Sequence, residues 1–145
     1  MIKDVLLTEG INLNLDVNNK DELFDKMASI LFEHGKITSK EKYIKALYKR
    51  EKEGMTGMGD GLAIPHGLDA CVKEPTVLFC HLNKTIEYES MDGQGVNKVF
   101  MIAVPETSGQ EHLKIIAMLA RKMMHKEFVE ALDQIQSADE LLDII

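Results

Sequence analysis

Apolar residues recur at helical spacing between Leu23 and Leu31: Leu23, Phe24, Met27, Ala28, Ile30 and Leu31 form one stripe. Asn19 precedes the stripe with Glu22 three residues on, and Gly35 follows it, so a helix is predicted from Asn19 to Gly35. The same period returns in Tyr43, Ile44, Leu47 and Tyr48. Thr38 with Glu41 is expected to open this second helix, which runs out near Glu53 and Gly54. A third capping box, Ser108 with Glu111, predicts a helix carrying Leu113, Ile116, Ala117, Leu119, Ala120 and Met123. A short helix from Glu127 to Ile135 is expected next, and Ser137 with Glu140 caps a last one, ADELLDII.

Between the second and third helices the pattern changes. TVLFCHL (Thr76 to Leu82) and KVFMIAVP (Lys98 to Pro105) are short β-rich runs bounded by turn residues, with MDGQG as a turn between them. The second run is apolar almost throughout, which predicts a central strand covered on both faces. LAIP, ahead of both, reads as extended because Pro65 pushes Ile64 out of the helical region. Helices on either side of a cluster of strands predict an α/β fold: a mixed β-sheet sandwiched by helices in three layers, α/β/α. No repeat, low-complexity tract or linker interrupts the chain, so residues 1–145 are expected to form a single domain.

Composition changes this picture little, but it removes some functions. The formal net charge is -7, which argues against nucleic-acid binding through clustered positive charge and is compatible with a basic protein partner. No apolar run is as long as a membrane span, and MIKDVLLTEG lacks the form of a signal peptide, so no membrane insertion is expected. Cys71 and Cys80 are not in a CxxC, and a reducing cytoplasm is the expected compartment.

The candidate chemistry lies in GMTGMGDGLAIPHG, Gly54 to Gly67. The stretch has no GK[ST] ending, so it is not a Walker A loop, and its GxGxG runs into LAIPH rather than a helix, so it is not a dinucleotide fingerprint. No GxSxG occurs, and His34, His66, His81, His112 and His125 are not spaced as zinc ligands, so the sequence gives a metal site no support beyond one assembled from distant residues. The histidine itself remains. Neutral imidazole attacks phosphorus through one ring nitrogen if the other keeps its proton on a fixed acceptor and donors meet the phosphoryl oxygens. Glycines let backbone N–H groups and a bulky partner approach, and Pro65 stiffens the chain just before His66. Spacing alone leaves two readings open, a phosphoryl-accepting histidine and a plain turn residue.

YKREKEGMTGMGDGLAIPHG resembles the strongest block of the enzyme IIA domains of the bacterial phosphoenolpyruvate-dependent sugar phosphotransferase system (PTS), fructose/mannitol class, whose pattern is RE, a short gap, then TGxGxGxAxPH. The matching residues are Arg50, Glu51, Thr56, Gly57, Gly59, Gly61, Ala63, Pro65 and His66. MDGQGVNKVFMIAVPETSGQEHLKIIAMLA resembles a second block, and the likeness runs over essentially the whole chain. The resemblance implies the EIIA type-2 fold and a phosphotransferase working through a phosphohistidine, with no metal or cofactor expected. His66 would take a phosphoryl group from the phosphocarrier protein HPr and pass it to a cysteine on the IIB domain of a sugar permease. It implies further that His112 is a second active-site histidine and that Arg50 serves phosphate or a partner carboxylate. His112 is also expected in a helix's first turn, where anions are favoured; the alternatives are a surface histidine and, for Arg50, helix-end charge. Thr56 and Gly57 are weaker phosphate-supporting candidates, Thr56 equally a loop-shaping residue, and Glu51 is read as structural. His34 and His125 are expected on the surface, and His81 packed in a strand. The fructose-like look of the second block favours transport over the nitrogen-type regulatory relatives. A shallow, apolar-rimmed depression with acidic margins is expected around His66.

Overall fold

The computed structural model describes residues 2–145. Six strands make one mixed sheet: β1 (Asn12–Leu15), β2 (Gly57–Gly59), β3 (Gly61–Ala63), β4 (His66–Leu68), β5 (Thr76–Ile86) and β6 (Val96–Val104). β5 and β6 pair antiparallel at the centre, β1 lies parallel to β5 at one edge, and β3 continues to the hairpin partner β2 on the other side. β3 and β4 pair in succession along the same edge of β6, both parallel to it, with Ile64 and Pro65 between them.

Period-two alternation assigns the two faces. Leu78, Cys80, Val99, Met101 and Ala103 face one core, built with α2 (Lys20–Glu33) and α3 (Lys40–Glu51). Val77, Phe79, Phe100, Ile102 and Val104 face a second core. That core is closed by α1 (Ile2–Val5), α4 (Glu111–Met123), α5 (Lys126–Gln134) and α6 (Ala138–Ile144). The result is the expected three-layer α/β/α arrangement, and β6 is buried along nearly its whole length as its composition requires. Its one buried cation, Lys98, is paired with Asp133 at 2.8 Å, so the charge is not left unpartnered in the core.

Two of the expected caps are placed differently. Ser39, not Thr38, caps α3 by accepting from the Lys42 N–H at 3.2 Å; the Thr38 hydroxyl instead donates to the Cys71 carbonyl. Ser108 caps nothing. It sits in a 3-10 turn, Glu106–Ser108, with its hydroxyl on the Pro105 carbonyl, and α4 begins after Gly109 and Gln110 without a side-chain cap. Asn19 and Ser137 cap α2 and α6 as expected. The glycine stretch holds more structure than its composition suggested: β2 and β3 form a hairpin turning through Gly59, Asp60 and Gly61, all at positive φ. Asp92 of the MDGQG turn accepts from the Asp60 N–H and pins the hairpin tip. The two free thiols, Cys71 and Cys80, are buried, and burial pushes them up to about 11 and about 12, so neither is a thiolate near neutrality. No helix of the described residues is long and apolar enough to cross a membrane.

Candidate functional site

Position of His66 follows from the packing of β4. The strand lies between β6 and α3: His66 is opposite Ile102 on β6, and the Ile102 N–H donates to the Pro65 carbonyl at 3.0 Å. On the other side α3 presses directly on Gly67, where a Cβ would stand 3.1 Å from Ala46 Cβ and 3.2 Å from the Leu47 nitrogen. A side chain at position 67 would push α3 away. Tyr43, fully buried, pins α3 in place by donating its hydroxyl to the Ile102 carbonyl at 2.8 Å. The last turn of α3 therefore ends over β4, and Arg50 reaches His66.

The ring's protonation is set by its two partners. Nδ1 lies 2.9 Å from the Ile64 carbonyl, which can only accept. Arg50 Nε donates to Nε2 at 3.1 Å, and that nitrogen can only be accepting. His66 is thus the neutral tautomer with its proton on Nδ1 and a lone pair on Nε2. Arg50 is itself aimed by a second bond, Nη1 to the Gly54 carbonyl at 2.9 Å. Burial holds His66 below the ordinary histidine pKa, the Arg50 and His112 charges add to this, and the Ile64 bond and Glu51 oppose it. The ring is then neutral at pH 7.

Because the folded value lies below the unfolded one, the unfolded chain takes up this proton first as pH falls. His66 therefore contributes stability above pH ~6.5 that is lost as pH drops through its folded value. In an NMR titration the His66 ring should show a midpoint below ~6.5, and Arg50→Gln should move it upward by removing a nearby positive charge. A midpoint at or above the ordinary value would contradict this geometry.

His66, Arg50 and His112 line one open depression of about 320 Å³, with Leu68, Leu113 and Ile116 as its apolar border. Leu68 and Leu113 are 49% and 52% exposed. His112 is the second residue of α4, and its Nδ1 is buried with no hydrogen-bond partner among the described residues. The apolar border was expected; the acidic margin is not what the structure has. The charged side chains lining the depression are Lys49, Arg50 and Glu53, and lysines continue along α3 beside it.

Thr56 and Gly57 lie outside that lining. The Thr56 hydroxyl donates to Glu51 at 2.6 Å and meets the Tyr88 hydroxyl at 2.6 Å. Gly57 is required by packing, since a Cβ there would fall 2.4 Å from the Glu89 carbonyl and 2.6 Å from Ser90 Cβ. Glu51 also pairs with Lys20 at 2.5 Å, and Lys20 lies over the Tyr88 ring. This network joins the start of α2, the end of α3 and the start of β2 directly behind Arg50. Tyr88 and Lys20 were not found from the sequence, because nothing in local spacing links them to residues 50–56. His34 is exposed at the end of α2, His125 is exposed ahead of α5, and His81 is half-buried in β5. Among the described residues no three His, Cys, Asp or Glu side chains gather as a metal site requires.

Residues 4–145 match the family described as phosphoenolpyruvate-dependent sugar phosphotransferase system, EIIA 2. The chain is 38% identical to the PTS system fructose-like EIIA component of Escherichia coli (strain K12), over 89% of this chain and 87% of that protein. It is 33% identical to the nitrogen regulatory protein of Bradyrhizobium diazoefficiens, over 99% of this chain and 94% of that one. Among solved structures, the nitrogen regulatory protein IIA-Ntr from Neisseria meningitidis superposes with a TM-score of 0.91 at 34% identity, covering 99% of this chain and 97% of that one.

Proposed function

The chain belongs to the EIIA 2 family of the phosphoenolpyruvate-dependent sugar phosphotransferase system, whose members are phosphotransferases, and we propose that it carries a phosphoryl group on His66 between HPr and a fructose/mannitol-type IIB domain in the cytoplasm. What supports this reading is the fixed tautomer: Nε2 of a neutral ring, facing an open depression, with the proton held away on Nδ1.

In the forward step the Nε2 lone pair attacks the phosphorus on the donor histidine. The new N–P bond forms as the donor's N–P bond breaks, and that electron pair leaves with the donor ring. The His66 ring gains positive character, which the Nδ1–H bond to the Ile64 carbonyl offsets. Arg50, released from Nε2, turns its guanidinium onto the phosphoryl oxygens, and His112, in the first turn of α4, faces the same charge. The second transfer reverses these roles toward a partner cysteine. An open, apolar-bordered depression admits a protein donor and then a protein acceptor, where a deep pocket would admit neither.

A regulatory role uses the same His66, and the similarity to nitrogen regulatory proteins supports it as the second reading. Reconstitution with enzyme I, HPr and a fructose-type IIB–IIC permease separates the two. Transport predicts sugar phosphate formed only when this chain is present. A chain that is phosphorylated yet passes nothing to IIB would instead be a regulator.

A further inference from the structure

His66 is held from both sides, by Arg50 on Nε2 and by the Ile64 carbonyl on Nδ1, and Thr56 is bonded toward both holders. The Thr56 backbone carbonyl accepts from the Ile64 N–H at 3.0 Å, which fixes the residue whose own carbonyl meets Nδ1. The Thr56 hydroxyl donates to Glu51 Oε2 at 2.6 Å, and Glu51 follows Arg50 as the last residue of α3. Between Glu51 and Thr56 lie the exposed residues 52–55. One of them, Gly54, supplies the carbonyl that takes Arg50 Nη1 at 2.9 Å. The Thr56–Glu51 bond therefore closes a short loop whose middle carries the second partner of Arg50.

The direction of every bond in this network is fixed. Thr56 gives its one hydroxyl proton to the carboxylate, so at its 2.6 Å contact with Tyr88 the phenol is the donor. Burial holds the Tyr88 phenol above its ordinary pKa, which keeps that proton in place. Lys20 pairs with the other carboxylate oxygen, Oε1, at 2.5 Å. Thr56 and Tyr88 are buried, and the Glu51 side chain is only 8% exposed. An apolar cluster of the same shape would serve stability as well. A fully satisfied polar network adds something else, a single rigid geometry. It also commits the Thr56 proton to Glu51, so that proton is not offered to a phosphoryl oxygen.

We propose that Thr56 and Glu51 are positioning residues for phosphoryl transfer: their bond fixes the loop of residues 52–55, and the Gly54 carbonyl on that loop keeps Arg50 seated at Nε2 of His66. The proposal rests on the reading of His66 as phosphoryl carrier. Thr56 and Glu51 both lie outside the lining of the His66 depression, so they act through Arg50 and not on the phosphoryl group. As Arg50 swings from Nε2 to the phosphoryl oxygens, the Gly54 carbonyl is the pivot that keeps the guanidinium within reach.

A double-mutant cycle on the full chain tests this. Thr56→Val keeps the shape and removes the hydroxyl. It should slow single-turnover transfer from phospho-HPr about 10- to 100-fold, the scale of loss when a reacting group is misplaced by about 1 Å. Thr56→Ser, which keeps the hydroxyl, should restore the rate to within about threefold. In an Arg50→Ala background Thr56→Val should slow transfer no further, because the group it positions is gone. No slowing in the wild-type background, or the same slowing in both, would overturn the proposal and leave the network a structural one.

A second readout needs no transfer. In the unloaded, nitrogen-labelled chain the Arg50 Nε–H should exchange slowly with water, and in Thr56→Val it should exchange at least about tenfold faster. Glu51→Ala, in which the partly exposed Lys20 can turn to solvent, should do the same and serves if Thr56→Val does not fold. Unchanged exchange in either folded variant would overturn the proposal. If wild-type chain takes up no phosphate, the carrier reading is refuted, and the Nε–H exchange still decides whether Thr56 and Glu51 position Arg50.

Discussion

Given phosphoenolpyruvate, enzyme I and HPr, the wild-type chain should take up one acid-labile phosphate and the His66→Ala chain none. Loss is expected to be complete because the nucleophile itself is removed. His112 does not replace it: its Nδ1 is buried without a partner, so nothing holds a proton there to leave its other nitrogen oriented for attack. Alanine keeps the backbone pairing of β4 with β6, and the ring it removes is only partly buried, so the variant should melt within a few degrees of wild type. Undiminished labelling of a folded His66→Ala chain would leave this histidine a strand residue without a chemical role.

Arg50→Ala should slow single-turnover transfer by about 100- to 1000-fold, the usual loss when one preorganised donor to a developing charge is removed. Two features of the site argue for so large an effect. Arg50 Nε is the group seated on the attacking nitrogen, and the Gly54 carbonyl keeps the guanidinium there without a second charged partner. Lysine should rescue little, because it cannot reproduce the planar fork. Rapid-quench measurements with phospho-HPr would show this, and a change under threefold would leave Arg50 as helix-end charge only. His112→Ala should slow transfer less, since no hydrogen bond ties it to His66 before the phosphoryl group arrives.

The helices were legible because their stripes are regular, and β6 because a strand buried on both faces is almost uniformly apolar. The errors arose where backbone geometry outranks residue type. Thr38 and Ser39 are both good caps, and which one serves depends on the bridge from Ile37 to Val72, a contact from a distant segment. Ser108 lost its role to a 3-10 turn that follows Pro105. β1 escaped notice because NLNL has few β-forming residues and owes its strand to pairing with β5. The hairpin of β2 and β3 was hidden by glycines, whose positive φ values here build a tight turn and not a loose loop. Within the site, His66, Arg50 and His112 were readable from the two motif blocks. The Glu51–Thr56–Tyr88 network was not, because its members meet only once α3 and the segment after β5 have packed together.

The central claim concerns one atom, Nε2 of His66. It is tested most directly by nitrogen and phosphorus NMR on the chain loaded from phospho-HPr. The geometry predicts phosphorus bonded to Nε2, with Nδ1 still protonated and hydrogen-bonded to the Ile64 carbonyl. Phosphorus on Nδ1, or on His112, would contradict it.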